Sequence, residues 1–337
     1  MAGPSPSSHV DDAGFLAELI ALGSTAPPQD LVLGDVRVRV HGLTDDLTWT
    51  ISHLVAPPAG EPVATLHHVT GTAPPPPWAG DDCLVRDRVR GRTAGRFRAL
   101  YRPDVPALSL ADLETATGVL WHRSPQLPPS ETCAPFAPLL SWLLAGSHLR
   151  VTHGAVVGHE DGAVLLAGPG GAGKTTTVLA GVRGGLLTTG EDYVLVDLSR
   201  RTALATYDAA KLGGLPLSWF PEAAAHVRGM AEQGKAIVAL SDVFPGRFAT
   251  RLPLSAIVVP RVADRSAERP RPISPMAALR ALSAGTLVQL GGDDDRVLRQ
   301  LGELVRSLPC FSLDVGPDLE AIAPALARVL PDRSRAA

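Results

Sequence analysis

The sequence predicts an α/β core with a mixed sheet, preceded by a small β-rich N-terminal domain. Three observations carry that expectation. An apolar run at residues 163–167 enters a Gly-rich loop, and a helical segment at 175–182 leaves it. Strand-like runs at 151–157, 186–188, 193–197 and 204–206 flank this unit, and several of their connections are too short for the crossover that a parallel pair needs. Upstream, residues 31–40, 47–55, 63–69, 83–89 and 95–101 read as strands. Val36, Val38 and Val40 alternate with Arg37 and Arg39, the period of a half-buried strand.

Taken in order, residues 1–12 are rich in Ser, Pro, Gly and Asp and are expected to be disordered. Residues 15–22 form a short helix, and 13–125 make up the β-rich domain. Residues 74–77 are a rigid polyproline connector. Arginines on the strands at 83–89 and 95–101 read as a solvated sheet face ahead of a peptide- or phosphate-facing one. A Pro-rich hinge at 126–138 leads to a second domain at 139–330. That domain opens with a buried helix at 139–149. Its later elements are strands at 236–240, 256–259 and 311–315, and helices at 275–283, 293–308 and 318–330. Residues 331–337 form a disordered tail.

Composition narrows the function classes. The chain has 337 residues, of which 45% are apolar and 19% charged, with a net charge of −3. The length fits two or three domains and the apolar share supports a sizeable core. No block of five like charges occurs, which argues against a nucleic-acid partner. No apolar stretch approaches the roughly 18 residues of a membrane span, and residues 1–8 do not read as a secretory signal. Cys83, Cys133 and Cys310 stand far apart, which fits a reducing, cytoplasmic setting. Of 31 basic residues only Lys174, Lys211 and Lys235 are lysine. Each lysine is therefore a pointer to a place needing a compact ammonium on a flexible stem, with chance retention or a surface salt bridge the other reading for Lys211 and Lys235.

The chemistry concentrates in one segment. Gly168-Pro169-Gly170-Gly171-Ala172-Gly173-Lys174-Thr175 matches the phosphate-binding loop pattern. In such a loop Gly168, Gly170, Gly171, Ala172 and Gly173 turn backbone N–H groups inward on a phosphate. Lys174 reaches the β- and γ-oxygens, Thr175 completes a Mg²⁺ shell, and the helix start with Thr176 adds its positive end. The expected cofactors are ATP and Mg²⁺. No lysine is followed by the residues of a guanine-reading motif, and the Leu-Ser-Gly-Gly-Gln transporter signature is absent. An acidic pair, Glu191-Asp192, follows closely, and Asp197 ends the next apolar run. Asp293, Asp294 and Asp295 read as a helix start rather than a metal cluster. His67, His68, His148 and His159 have no partner at ligand spacing.

His153-Gly154, a strand, the Gly-rich loop, a helix and an acidic pair ahead of an apolar strand together resemble the HPr kinase/phosphorylase catalytic domain. The resemblance is to its divergent bacterial relatives, over about residues 139–330, and includes the tail from Leu304 to Leu319. It implies the fold shared with ATP-dependent phosphoenolpyruvate carboxykinase. It also implies an ATP-dependent kinase that phosphorylates a serine of a small protein or peptide, and it allows a homo-oligomer. Asp192 aligns with the second aspartate of the family's Asp-Asp pair and Glu191 replaces the first. Both are assigned to the site, as proton acceptor and metal ligand, without separating the two roles. His153 would sit near the γ-phosphate or the acidic pair, and Lys211 and Lys235 would reach phosphate or acceptor. Two other readings stay open. One is a non-catalytic ATP-binding regulatory module in which Glu191 marks lost catalysis. The other is a small-molecule kinase.

Overall fold

The computed structural model describes residues 12–332 apart from 74–75, 77–82, 87–88, 104, 232–233, 265, 267–268 and 292–293. The connector expected at 74–77 therefore lies largely outside the described residues, as do residues 1–11 and 333–337. Asp12, expected to be disordered, begins the helix Asp12–Ala21.

The first nine strands form one sheet. The run at 31–40 is a hairpin, Gln29–Leu33 against Val36–His41, with Leu33 opposite Val36. Gly34 adopts φ 67 in the intervening two-residue turn, a conformation that favours glycine. Val36–His41 pairs in parallel with Ala64–Thr70, which pairs in parallel with Thr117–His122. The sheet then continues antiparallel through Ala107–Asp112, Phe97–Arg102, Val89–Ala94 and Cys83–Arg86. The strand expected at 47–55 is instead a helix, Asp45–Thr48, then a 3-10 turn, Ser52–Leu54. Leu47, Ile51 and Leu54 are all buried, and their spacing of four and three is helical, not alternating.

The second half is a mixed α/β unit. Its sheet runs in the order Leu149–His153, Tyr193–Asp197, Thr202–Leu204, Arg251–Val262, Gly162–Leu166, Ala155–His159 and Leu187–Gly190, with Cys310–Val315 also paired to Arg251–Val262. Arg251–Val262 pairs in parallel with both Gly162–Leu166 and Cys310–Val315 and antiparallel with Thr202–Leu204. The run expected at 151–157 is two strands, broken at Gly154.

Both faces of this sheet are covered. Val157, Val164, Leu166, Ala256 and Val258 pack toward the helices Lys174–Arg183 and Ile322–Ala327. Val156, Leu165 and Ile257 pack the other way, with residues of Pro275–Leu290 and Asp294–Ser307. This period-2 division explains why these strands read as continuous apolar runs. A three-stranded sheet, Ala210–Leu212, Ala236–Val238 and Val227–Met230, lies beyond the first of these faces.

The helix expected at 139–149 is shorter, Ala137–Leu143, because Leu149 already begins a strand. It joins the two halves. Leu139, Leu140 and Trp142 share one buried cluster with Val38 and Leu66 of the first sheet and with Val151 and Leu195 of the second. The Trp142 indole donates to Leu290 O at 2.8 Å. Truncating Leu139, which is fully buried, to alanine should cost about 2–5 kcal/mol. The check is urea denaturation followed by circular dichroism and by tryptophan fluorescence. Both midpoints should fall together; a shift in only one would show that the halves do not share this core.

Candidate functional site

The strand Gly162–Leu166 ends beside its parallel neighbour, and Ala167 N–H donates to Val258 O at 2.9 Å. From this edge the chain turns through residues 168–173 into the helix Lys174–Arg183. Gly168, Gly171 and Gly173 all adopt positive φ, and Gly173, at φ 99, is the helix N-cap. The loop's own bonds are few. Ala172 N–H donates to Pro169 O at 3.2 Å, and Thr177 donates to Gly173 O through its N–H and its hydroxyl. Among the described residues, the N–H groups of Gly170, Gly171, Gly173, Lys174, Thr175 and Thr176 donate to no protein acceptor. Six donors gathered at one helix start make a receptor for anionic oxygens.

Lys174 is buried and its ammonium turns back onto the loop, donating to Gly168 O at 2.7 Å and Pro169 O at 3.2 Å. Burial lowers its pKa, opposed by Glu191 and Asp192 and helped by Lys235.

The acidic pair sits across from the helix start. Thr175 Oγ1 donates to Glu191 Oε1 at 2.6 Å. Glu191 is buried and its second oxygen, Oε2, has no hydrogen-bond partner. Burial, then the neighbouring Asp192 charge, pushes its pKa up; Thr175, Lys174 and Lys211 pull the other way. Asp192 behaves oppositely. Its Oδ2 accepts from Lys211 Nζ at 2.9 Å, and its Oδ1 lies 3.3 Å from His153 Nε2. Burial works against its charge, but Lys211 and His153 outweigh that and hold the carboxyl well below the usual carboxylate range. Lys211 is correspondingly raised well above the usual lysine value: burial opposes its charge, and Asp192 overcomes that.

The backbone separates the two carboxylates. Asp192 adopts φ 68, rare for a non-glycine residue, and Gly154 N–H holds the turn by donating to Asp192 O at 3.0 Å. Glu191 faces Thr175 and Asp192 faces His153 and Lys211. His153 is fixed from behind. Its N–H donates to Thr286 Oγ1 at 3.1 Å, its ring meets Tyr193 edge-on at 5.8 Å, and it lies against the helix Pro275–Leu290 at Gly285. A Cβ at Gly285 would fall 2.2 Å from His153 Nδ1, so that helical position must be glycine for the imidazole to stand where it does.

The expected residues thus come together: the loop, Lys174, Thr175, Glu191, Asp192 and His153, with Lys211 against Asp192. Lys235 acts on Lys174 electrostatically. Asp197 is elsewhere, about 17 Å along its strand from Asp192. It accepts from Ser199 Oγ at 2.7 Å and Arg200 N–H at 2.9 Å, which lowers its pKa to about 2 against burial. His148 meets Asp35 at 3.0 Å, and His159 meets Pro331 O at 3.1 Å. His67 stacks on His41, and His68 meets Gly42 O at 3.0 Å. Asp294 begins its helix, while Asp293 lies outside the described residues.

Sequence reasoning missed the support around the site. Gly285 and Thr286 position His153, and the only available signal was a glycine inside a helical pattern. Glu131, on the short helix Pro129–Thr132, pairs with Arg102 of the first sheet and lies 3.6 Å from His122. Lys211 acts on Glu131 electrostatically as well. Cys133, next along, is buried and its thiol is pushed up to about 11, mainly by burial.

The residues fit Mg²⁺ on the observation of Glu191: a buried, partnerless carboxylate oxygen beside a threonine hydroxyl. Mg²⁺ uses one or two carboxylates and completes its shell with water and phosphate. Among the described residues no three His, Cys, Asp or Glu side chains form a metal-holding group, so a metal bound by protein side chains alone does not fit.

The raised Glu191 pKa has a thermodynamic sign. A carboxyl raised in the folded state contributes its stability below its unfolded pKa, about 4.3, and loses it as pH rises through the folded value. In a chelating buffer, Glu191→Gln should raise the melting temperature at pH 8, and the gain should shrink toward zero near pH 4. A gain that does not change with pH would show that Glu191 buries no charge.

No protein-family model and no curated protein matches this chain. Among solved structures the chain is similar to the Hpr(Ser) kinase/phosphatase from Coxiella burnetii, at 11% identity and a TM-score of 0.29, over 53% of this chain and 88% of that one. Among the described residues no helix is long and apolar enough to cross a membrane.

Proposed function

We propose that this protein is an ATP-dependent kinase that transfers the γ-phosphate to a hydroxyl, most plainly a serine of a small protein or peptide. The observation that carries the reading is the division of the acidic pair beside a loop with six free N–H donors. One carboxylate shares a hydrogen bond with the loop threonine, and its neighbour is held anionic by a lysine and a histidine.

The roles follow from that division. The loop N–H groups and Lys174 bind the phosphates; Lys174 leaves the carbonyls of Gly168 and Pro169 to do so, which its flexible stem permits. Thr175 and Glu191 would hold Mg²⁺, which supplies charge neutralisation of the phosphate oxygens when bound. Asp192 orients the acceptor hydroxyl. A carboxylate stabilised this strongly is a weak base. Phosphoryl transfer through a loose transition state asks little of the base until late, when the acceptor proton becomes acidic. His153 keeps Asp192 in line from the far side and Lys211 keeps it charged.

Gamma-labelled ATP with Mg²⁺, purified protein and a size-fractionated lysate tests the reading. Label should move onto a small protein or peptide. ATP binding without transfer would favour the regulatory module, and transfer only to small metabolites would favour the small-molecule kinase. Lys174→Ala should abolish nucleotide-dependent thermal stabilisation; unchanged stabilisation would place the nucleotide elsewhere. Asp192→Asn should keep ATP affinity within about tenfold while removing transfer, the signature of a group acting in the transition state. Full transfer by that variant would refute its role.

A further inference from the structure

The Gly-rich loop stands between two unlike flanks on one edge of the main sheet. Gly162–Leu166 pairs in parallel with Arg251–Val262, which pairs in parallel with Cys310–Val315. Leu187–Gly190 points the same way, because it is antiparallel to Ala155–His159, itself antiparallel to Gly162–Leu166. Glu191, the loop, Val262 and Val315 therefore all lie at the carboxyl edge, where open α/β sheets hold their ligands. In the sheet order Arg251–Val262 is on one side of the loop strand, and Leu187–Gly190, which leads to the acidic pair, is on the other.

The valine flank is a wall that overshoots the loop. Leu166 stands opposite Val258, and its strand then gives way to the loop. Arg251–Val262 continues four residues past Val258 (262 − 258), a rise of about 13 Å. Val262 stands opposite Val315 at the top. Val258, Leu313 and Val315 pack toward the helix Lys174–Arg183, and by the period of a strand Val262 faces the same side. Arg261 and Asp314 alternate to the other face, where Asp314 meets Arg261 at 3.5 Å and Arg271 at 3.1 Å. The loop sits against this wall: a Cβ on Gly173 would lie 3.7 Å from both Val262 Cγ2 and Val315 Cβ. Val262 is nevertheless 69% exposed, the most exposed large apolar side chain among the described residues.

A single exposed valine is ordinary; its position relative to the loop is what gives it a role. Phosphoryl transfer puts the γ-phosphate beside Asp192. That flank is already filled, since Thr175, Glu191, Lys211 and His153 close around it. The phosphates cross the loop from there, so the nucleoside leaves on the opposite flank, against Val262 and Val315. A purine has apolar faces and polar edges, and the side chains on this face of the wall are aliphatic.

We infer that Val262, backed by Val315, is the platform on which the adenine ring of the bound nucleotide lies, held by its face. This rests on the nucleotide-binding part of the kinase reading and not on transfer.

Isothermal titration calorimetry with Mg²⁺ tests it by comparing ATP with inorganic tripolyphosphate, which has the phosphates and no nucleoside. ATP should bind the native protein at least about tenfold more tightly. Val262→Ser should weaken ATP about fivefold and leave tripolyphosphate within about twofold. Val262→Trp should tighten ATP at least about threefold by offering a larger stacking surface. The side chain is exposed, so both variants should keep the native circular dichroism spectrum. Equal affinity of the native protein for the two ligands would overturn the platform. So would an ATP affinity that neither variant moves, or an equal loss of both ligands in Val262→Ser. Binding of neither ligand to the native protein would sink the nucleotide reading as well. Base-dependent binding that both variants shift, with no phosphoryl transfer, would uphold the platform and remove the kinase alone.

Discussion

Two carboxylates that are neighbours in sequence, one buried and one half-buried, repel each other, and most of the local architecture answers that repulsion. One solution would be to protonate both. The chain instead puts them in different surroundings. The left-handed backbone at Asp192 swings its side chain toward Lys211 and His153, while Glu191 stays against Thr175. One carboxylate is stabilised as an anion and the other is pushed toward neutrality, so the pair carries less charge than its composition implies. Opposed pKa shifts in adjacent acids are a recurrent mark of a working site.

The groups that face this pair come from three separate elements: a loop-helix junction, a strand of the small sheet and a strand end of the main sheet. Each is fixed by packing elsewhere. Gly285 and Thr286 seat His153 against a helix on one face of the main sheet, while Lys174 starts a helix on the other. Lys211 adds a third dependence. It reaches Asp192 and is also felt by Glu131, which is tied to Arg102 and His122 of the first sheet. A charged path thus runs from the first sheet through the joining segment to the acidic pair, alongside the apolar cluster around Leu139 and Trp142.

The parts legible in the sequence were those whose cause is local. The loop announces itself because glycines, a lysine and a threonine must occupy fixed positions between a strand and a helix. The buried strands announce themselves as short apolar runs. The scarcity of lysine was informative for a chemical reason: Lys174 sits in the loop and Lys211 holds Asp192. Long-range causes left no trace. Nothing near Gly285 says that an imidazole from residue 153 will lean on it, and nothing near Glu131 says that Arg102 will meet it. The segment at 47–55 misled because Trp49, Thr50, Ile51 and Val55 favour strands individually; the spacing of Leu47, Ile51 and Leu54 decided it. Of the small sheet only the strand at 236–240 was read; Ala210–Leu212 and Val227–Met230 were missed because they are only three and four residues long.

The pairing of Gly162–Leu166 with Arg251–Val262 has a consequence for how the protein is made. Leu166 waits for Val258, its partner 92 residues later (258 − 166) in the chain. A ribosome adding about 5–20 residues per second leaves an interval of roughly 5–18 s between them. During that time the strand feeding the loop has its antiparallel neighbour Ala155–His159 but an open, apolar far edge, the kind of edge that recruits other chains. Synthesis therefore passes through a stage in which the segment with the most chemistry is also the segment most exposed to mispairing. The nascent chain's quality control, not only its final stability, bears on how much working protein a cell obtains.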